Sequence, residues 1–313
     1  MSNTIEKALQ RQREAQAAKD LEEASSSIEK AQNQADSTKV SDPEIVEEPN
    51  TEPLKATTNI EKVERTFNIN VPELEAKGFV SLTSARSQIN EEYREIKRKL
   101  LANAFGALSR TLTNSNIIMV TSARPSEGKT FTAVNLAISI AAEQDKRVLL
   151  VDADVLKPNV LRTLGLKERS GLMEYLLGEV KEIGDVMYET NIEKLKIIPA
   201  GRSHHLSVEL LASEMMNETI DEFSNRYADR VIIIDTPPII GINESAILAN
   251  FAGQAVVVVE EGRSKLTDIQ KSVERLNPEM AIGFVVNKSL NTSESTGYYG
   301  YHYYGANRDE QDS

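Results

Sequence analysis

The 313-residue chain sets 36 Lys and Arg against 48 Asp and Glu, a formal net charge of −12, so it lacks the basic balance that general nucleic-acid binding demands. It has no cysteine and only three histidines, which excludes disulfides and thiolate metal sites and leaves little for other metal binding. No apolar run reaches the ~18 residues that cross a bilayer, and the polar start is unlike a signal peptide or membrane anchor, so a cytoplasmic protein is expected.

Residues 1–81 differ in composition from the remainder of the chain. "TIEKALQRQREAQAAKDLEEA" (4–24) has helix-forming composition with a thin apolar stripe at Ile5, Ala8 and Leu9. It reads either as a frayed, solvated helix or as a docking segment for a partner. Residues 25–59 are rich in Ser, Glu, Asn and Pro and poor in large apolar side chains. Such a stretch buries too little surface to offset its ordering entropy, which predicts a disordered linker.

From 82 to 290 the pattern alternates between helix and strand. A charged helix is expected over 87–108, and six β-branched runs come after it at 116–122, 147–154, 195–200, 230–238, 254–261 and 280–287. These runs are apolar nearly throughout, as strands covered on both faces require, and helical stretches separate most of them. The expected fold is one α/β domain, a doubly wound and mostly parallel sheet of the P-loop NTPase kind, with an N-terminal extension and a tail at 291–313.

The first run opens into Ala123-Arg124-Pro125-Ser126-Glu127-Gly128-Lys129-Thr130-Phe131 and then an amphipathic helix. In a phosphate-binding loop the backbone amides and the helix N-terminus cradle phosphates, the lysine reaches the β and γ phosphates, and the Ser/Thr hydroxyl binds Mg²⁺. Here alanine stands at the first glycine position. Two further strands end in carboxylates, Asp152 and Asp154 in "VLLVDAD" and Asp235 in "VIIIDTPP". Carboxylates at the C-terminal ends of parallel strands face the ligand crevice, and one of them holds the nucleotide's Mg²⁺. A lone aspartate there is equally a helix cap or turn residue, but three beside a phosphate loop indicate a Mg-nucleotide site. "VVNKSL" has Leu290 where a guanine-reading motif needs Asp, so ATP is the expected nucleotide. Asn287 is read either as a contact to the base edge or as a strand-end turn residue.

Taken together, "TSARPSEGKTF", "VLLVDADVLKPNV" and "IIIDTPP" resemble the Walker A, A′ and B motifs of the bacterial tyrosine autokinases (BY-kinases) of capsule and exopolysaccharide synthesis. The resemblance covers about residues 85–305, with "GLMEYLLGE" (171–179) and "ELLAS" (209–213) in matching places, and it ends in the cluster "GYYGYHYYG". "TIEKALQRQREA" is similar to the start of kinases that accompany exosortase-type gene clusters. The resemblance implies that Lys129 clamps the phosphates of ATP and that Thr130 and Asp235 hold Mg²⁺. Asp152 would accept the proton of the incoming tyrosine and Asp154 support the metal or the nucleophile, the split within that pair being left open. A phenol with a pKa near 10 needs such a proton acceptor at neutral pH.

The resemblance further implies phospho-acceptors at Tyr298, Tyr299, Tyr301, Tyr303 and Tyr304, modified in trans within an oligomer. The same cluster is alternatively readable as an exposed, sticky aromatic patch without a substrate role. Glu91, Arg94 and Lys97, on one face of the 87–108 helix, are similar to the family's ring-forming Glu-x-x-Arg-x-x-Arg motif with Lys in last place. They are equally readable as intrahelical ion pairs on a solvated face. His204 and His205 are expected to be loop residues. Implied partners are copies of the same chain, a membrane polysaccharide co-polymerase that recruits the protein peripherally and activates it, and a protein-tyrosine phosphatase. Two alternatives stand beside this reading. One is a partition- or septum-site-type ATPase switch, whose signature lysine slot is taken by Arg124. The other is a catalytically silent adaptor.

Overall fold

The computed structural model describes residues 65–83, 87–226 and 229–289. The expected N-terminal helix, the 25–59 linker and the five tail tyrosines lie outside these residues. The chain opens with β1 (Thr66–Phe67), α1 (Val71–Ala76) and α2 (Gln88–Phe105). Then come β2 (Ile117–Ser122), α3 (Lys129–Ala141), β3 (Arg147–Asp152), α4 (Val160–Thr163) and α5 (Leu172–Leu176). The middle of the chain supplies β4 (Tyr188–Thr190), β5 (Leu195–Ile198), α6 (Ser207–Leu211) and α7 (Glu214–Asn225). The last elements are β6 (Arg230–Asp235), α8 (Asn243–Ala249), β7 (Gln254–Glu260), α9 (Leu266–Val273) and β8 (Ala281–Asn287).

The strands form one sheet in the order β1-β4-β5-β3-β6-β2-β7-β8, parallel at every pairing except β4 with β5. This is the doubly wound, mostly parallel architecture expected from the unbroken apolar runs. Alternation along β2 distributes its side chains to both faces. Ile118 and Val120 enter one core with Leu136, Ile140 and Leu150, and Ile117 and Met119 enter the other with Leu149, Ile232 and Leu248. Truncating any of these fully buried side chains to Ala costs about 2–5 kcal/mol, so the sheet centre is a rigid platform.

Two expectations need correction. The folded domain includes residues before 82: β1 pairs with β4, and Phe67, Ile69, Leu74, Phe79 and Val80 are buried in the first core. The segment escaped notice because two strand residues and a six-residue helix carry too little periodicity. The run at 280–287 is not covered on both faces: β8 is an edge strand with Phe284 51% and Val286 61% exposed.

The expected 87–108 helix is observed as α2, opened by Ser87, whose side chain accepts from the Asn90 amide. Gln254, buried on β7, donates to the Leu100 and Ser115 carbonyls and accepts from Asn103, pinning α2 to the sheet.

Candidate functional site

Register brings the site together. In the β3–β6 ladder Asp152 lies directly opposite Asp235, and in the β2–β6 ladder Val120 does, so the three strands end together where the loop 123–128 begins. Gly128 caps α3 with φ +104°, and a Cβ there would lie 1.9 Å from Asn287 Nδ2. Both facts demand glycine. Of the two other positions where the loop motif favours glycine, Ser126 does adopt the left-handed region at φ +69°, whereas Ala123 is fully buried without a positive φ. Alanine therefore fits the first position without backbone strain, and the strain sits at Ser126.

One ammonium faces three buried carboxylates. Lys129 Nζ donates to Asp154 Oδ2 at 2.6 Å and lies 3.9 Å from Asp235 Oδ1, while Thr130 Oγ1 donates to Asp235 Oδ2 at 2.7 Å. Asp152 accepts at Oδ1 from the Asp154 amide and at Oδ2 from the Asn159 and Val160 amides, which fixes its carboxylate at the entrance of α4. Burial lifts the Asp152 carboxyl to about 7, reinforced by the charge of Asp235 and partly offset by the Val160 and Asn159 amides. Burial lifts Asp235 to about 6, against the pull of Lys129 and Thr130. For Lys129 burial works to lower the ammonium, but the charges of Asp235 and Asp154 prevail and hold it above its usual range.

The cluster thus carries more negative than positive charge, and Asp235 Oδ1 is buried with no hydrogen-bond partner among the described residues. A bare buried carboxylate oxygen beside a threonine hydroxyl fits a hard, oxygen-seeking cation. Among the described residues no group of three or more acidic, His or Cys side chains forms a self-sufficient metal cage. Mg²⁺ keeps waters and phosphate oxygens in its shell and needs only one or two protein ligands, which is what Asp235 and Thr130 could offer.

The rest of the loop is braced from elements far away in sequence. Glu127 is buried and points inward, its Oε2 accepting from the Arg124 amide at 2.8 Å and its Oε1 from the Ser264 hydroxyl. Arg124 forms a two-bond fork with Asp268 of α9, at 2.6 and 3.1 Å. The side chains of these two expected binding residues are therefore turned to the scaffold, and what they offer a ligand is backbone. Asn287 donates to the Glu127 carbonyl at 2.9 Å, and Lys288 to the Ser126 carbonyl at 2.7 Å. Asn287 thus closes over the loop and is not a free turn residue. Pro125 is exposed, and Phe131 packs on Phe79 with ring centroids 4.6 Å apart. Asp268, Ser264 and Lys288 had no motif to reveal them, being more than 130 residues from their partners.

The helix motif divides. Glu91 and Arg94 are ion-paired to each other on the outside of α2. Lys97 lines a small pocket together with Arg94 but is drawn further in: it is 8% exposed, donates to the Ser139 carbonyl at 2.9 Å and pairs with Glu143 at 2.5 Å. Packing of α2 on α3 draws the lysine stem inward, so Lys97 is a tie between helices. His204 and His205 are loop residues as expected, their ring centroids 4.3 Å apart with the planes tilted by 36°.

Residues 115–282 match the family described as an AAA domain. The chain is 32% identical over 227 residues to the tyrosine-protein kinase YwqD of Bacillus subtilis, a match covering 72% of this chain and 92% of that protein. It is 34% identical over 192 residues to the tyrosine-protein kinase wzc of Salmonella typhimurium, covering 61% of this chain but only 26% of that longer protein. The solved kinase domain of the Escherichia coli tyrosine kinase ETK superposes with a TM-score of 0.56 at 25% identity, over 74% of this chain and 93% of that one.

Proposed function

The chain belongs to the bacterial tyrosine-protein kinases, on an AAA-type P-loop domain, and from that premise we propose that it is an autokinase whose acceptors are the tail tyrosines of a neighbouring copy. The observation that carries the residue roles is the convergence of Lys129 and Thr130 of the loop on Asp154 and Asp235 at the strand ends. In this reading ATP lies along 123–131, with the loop amides and Lys129 holding its phosphates. Thr130 and Asp235 hold Mg²⁺, with Asp154 behind them, and the ion neutralises phosphate charge when bound.

Asp152 accepts the proton. A carboxyl lifted to about 7 is matched to a neutral operating pH, where it is basic enough to take a phenolic proton while roughly half of it is ionised. The phenol oxygen bonds to the γ phosphorus as the bond to the β–γ bridging oxygen breaks. ADP departs with that electron pair, and the phenolic proton moves to Asp152. Positioning and charge neutralisation carry most of the acceleration in such transfers.

The domain layout proposed is a recruiting segment before Arg65, a kinase domain through residue 289 and a substrate tail beyond. Glu91 and Arg94 supply part of the contact between copies in a ring. The family resemblance points to control of exopolysaccharide or capsule polymerisation. In that setting a membrane co-polymerase recruits and activates the protein at the inner face of the membrane, and a phosphatase resets the tail. No helix among the described residues is long and apolar enough to cross a membrane. The test is phosphotyrosine formed by the purified full-length chain with ATP and Mg²⁺, in the presence of an activator fragment. Lys129→Met is expected to abolish it, and ATP hydrolysis without phosphotyrosine would favour an ATPase switch.

A further inference from the structure

Beside the nucleotide cluster lies a cavity of about 510 Å³ to which ATP and Mg²⁺ binding gives no role. Asp152 is its buried acidic member, Leu161 and Pro199 are among its apolar walls, and Arg162, Arg169 and Arg202 belong to its exposed lining. In a chain of net charge −12, three guanidinium groups meet at this cavity with Glu168 as the one carboxylate besides Asp152. Among the described residues Arg162 bonds only to the neutral side chain of Asn159, at 2.8 Å, and Arg169 has no ion pair. Arg202 is paired with Glu179.

Two of the walls, those that carry Arg162 and Arg202, are held by hydrogen bonds to buried carboxylates, whereas Arg169 lies on the exposed segment after α4. Arg162 sits on α4, whose first amide and the one before it hold Asp152 Oδ2 at 2.9 and 3.0 Å. The 199–203 loop is held by the buried Glu174, which accepts from the Gly171 amide at 2.7 Å and the Arg202 amide at 3.0 Å. Gly201, at φ +78°, lets the loop close on that carboxylate, since a Cβ there would fall 1.9 Å from Glu174 Oε2.

A pocket with a proton acceptor inside and unpaired guanidiniums in its wall suits an acceptor tyrosine that has an anion close by in its own sequence. Glu294, Asp309 and Glu310 flank the tyrosine cluster, but within the cluster itself an anion arises only after it has begun to react. Tyr298 and Tyr299, and Tyr303 and Tyr304, are adjacent, Tyr301 lies between the pairs, and no acidic residue occurs between Tyr298 and Tyr304. We infer that Arg162 and Arg169 are specificity residues that bind a phosphotyrosine already present in the tail and so direct the next transfer to an adjacent tyrosine. Phosphate suits them better than carboxylate, because it offers about two charges and several oxygens to the planar guanidinium fork. Each transfer then improves the tail as a substrate, and modification runs to completion on one tail before starting on the next.

The inference rests on the tail being the substrate, and its test separates the two. The enzyme is the full chain with its five tail tyrosines changed to Phe, assayed on a peptide of residues 296–306. Three forms of the peptide are compared: unmodified, phosphorylated at Tyr304, and carrying Tyr304→Glu. The expected result is a KM about tenfold lower for the phosphorylated peptide than for the unmodified one, with the Glu peptide in between or unimproved. In the double variant Arg162→Gln, Arg169→Gln the ratio of kcat/KM for the two peptides is expected to fall towards one, while the Lys pair restores part of it. A general loss of folding or activity lowers both rates alike and leaves that ratio unchanged. Equal KM values for the two peptides, a preference surviving in the Gln variant, or a Glu peptide as good as the phosphorylated one would each overturn the inference. If neither peptide is phosphorylated, the tail-substrate reading falls and the inference with it.

Discussion

At the residue scale, Gly128 and the paired aspartates are the positions where the physics is most constraining. Gly128→Ala forces a left-handed φ on alanine and drives a methyl into Asn287, so a loss of about 2 kcal/mol or more is expected in denaturant melts, along with nucleotide binding. Adding Asn287→Ala should recover the steric part and not the backbone part. The aspartates give a pH signature. Asp152 and Asp235 keep protons in the folded state up to about 7 and 6, whereas in the unfolded chain they release them near pH 4. Folding therefore binds protons across that window, and stability falls as pH rises through it. Glu73, Glu260 and Asp268, whose values are lowered, titrate below the window and act in the opposite sense there. Without nucleotide or Mg²⁺ the protein should melt several degrees higher at pH 5.5 than at pH 8, and Asp235→Asn should narrow that gap. A melting temperature that rises with pH over this range would contradict the burial of these two carboxyls. The residues of the motif, Lys129, Thr130 and Asp235, were legible because the chemistry of phosphate binding dictates both their types and their spacing. Asp268 and Ser264 were not, because only the fold brings them to the loop.

At the element scale, β2, β3, β5, β6, β7, β8 and α2 could be read from runs long enough to show their pattern. β1 and β4 could not, since strands of two and three residues are defined by their neighbours and not by their own pattern. The exposed side of β8 was hidden for another reason: the run "AIGFVVN" is as apolar as a buried strand, although the structure leaves Phe284 and Val286 exposed. Helix α2 supplies a test at this scale. Lys97→Ala should cost about 1–3 kcal/mol, because it leaves the Ser139 carbonyl and Glu143 without their buried partner. Exchanging the charges of Glu91 and Arg94 should leave monomer stability within about 0.5 kcal/mol and alter self-association instead. Sedimentation velocity beside chemical denaturation distinguishes the two outcomes. An unfolded or equally destabilised Glu91/Arg94 variant would mean that α2 has no face reserved for a neighbour.

At the scale of the whole molecule, the central claim joins a rigid ATP site to tyrosines carried on another copy. Phosphorylation adds about −1.5 to −2 charges per tyrosine to a chain already at −12, so a fully modified tail should repel its neighbours. Changing all five tail tyrosines to Glu should accordingly shift the population towards monomers at low salt, and less so at high salt. Unchanged assembly would remove the charge switch while leaving the kinase intact. The transfer itself is tested most directly by mixing two full-length proteins: one with Lys129→Met, which keeps its tail but cannot transfer, and one with all five tail tyrosines changed to Phe, which can transfer but lacks acceptors. With ATP, Mg²⁺ and activator fragment, phosphotyrosine is expected on the tail of the Lys129→Met chain, at a rate that rises with the concentration of its partner. A mixture in which that chain stays unlabelled, while the wild-type protein labels itself under the same conditions, would contradict transfer between copies.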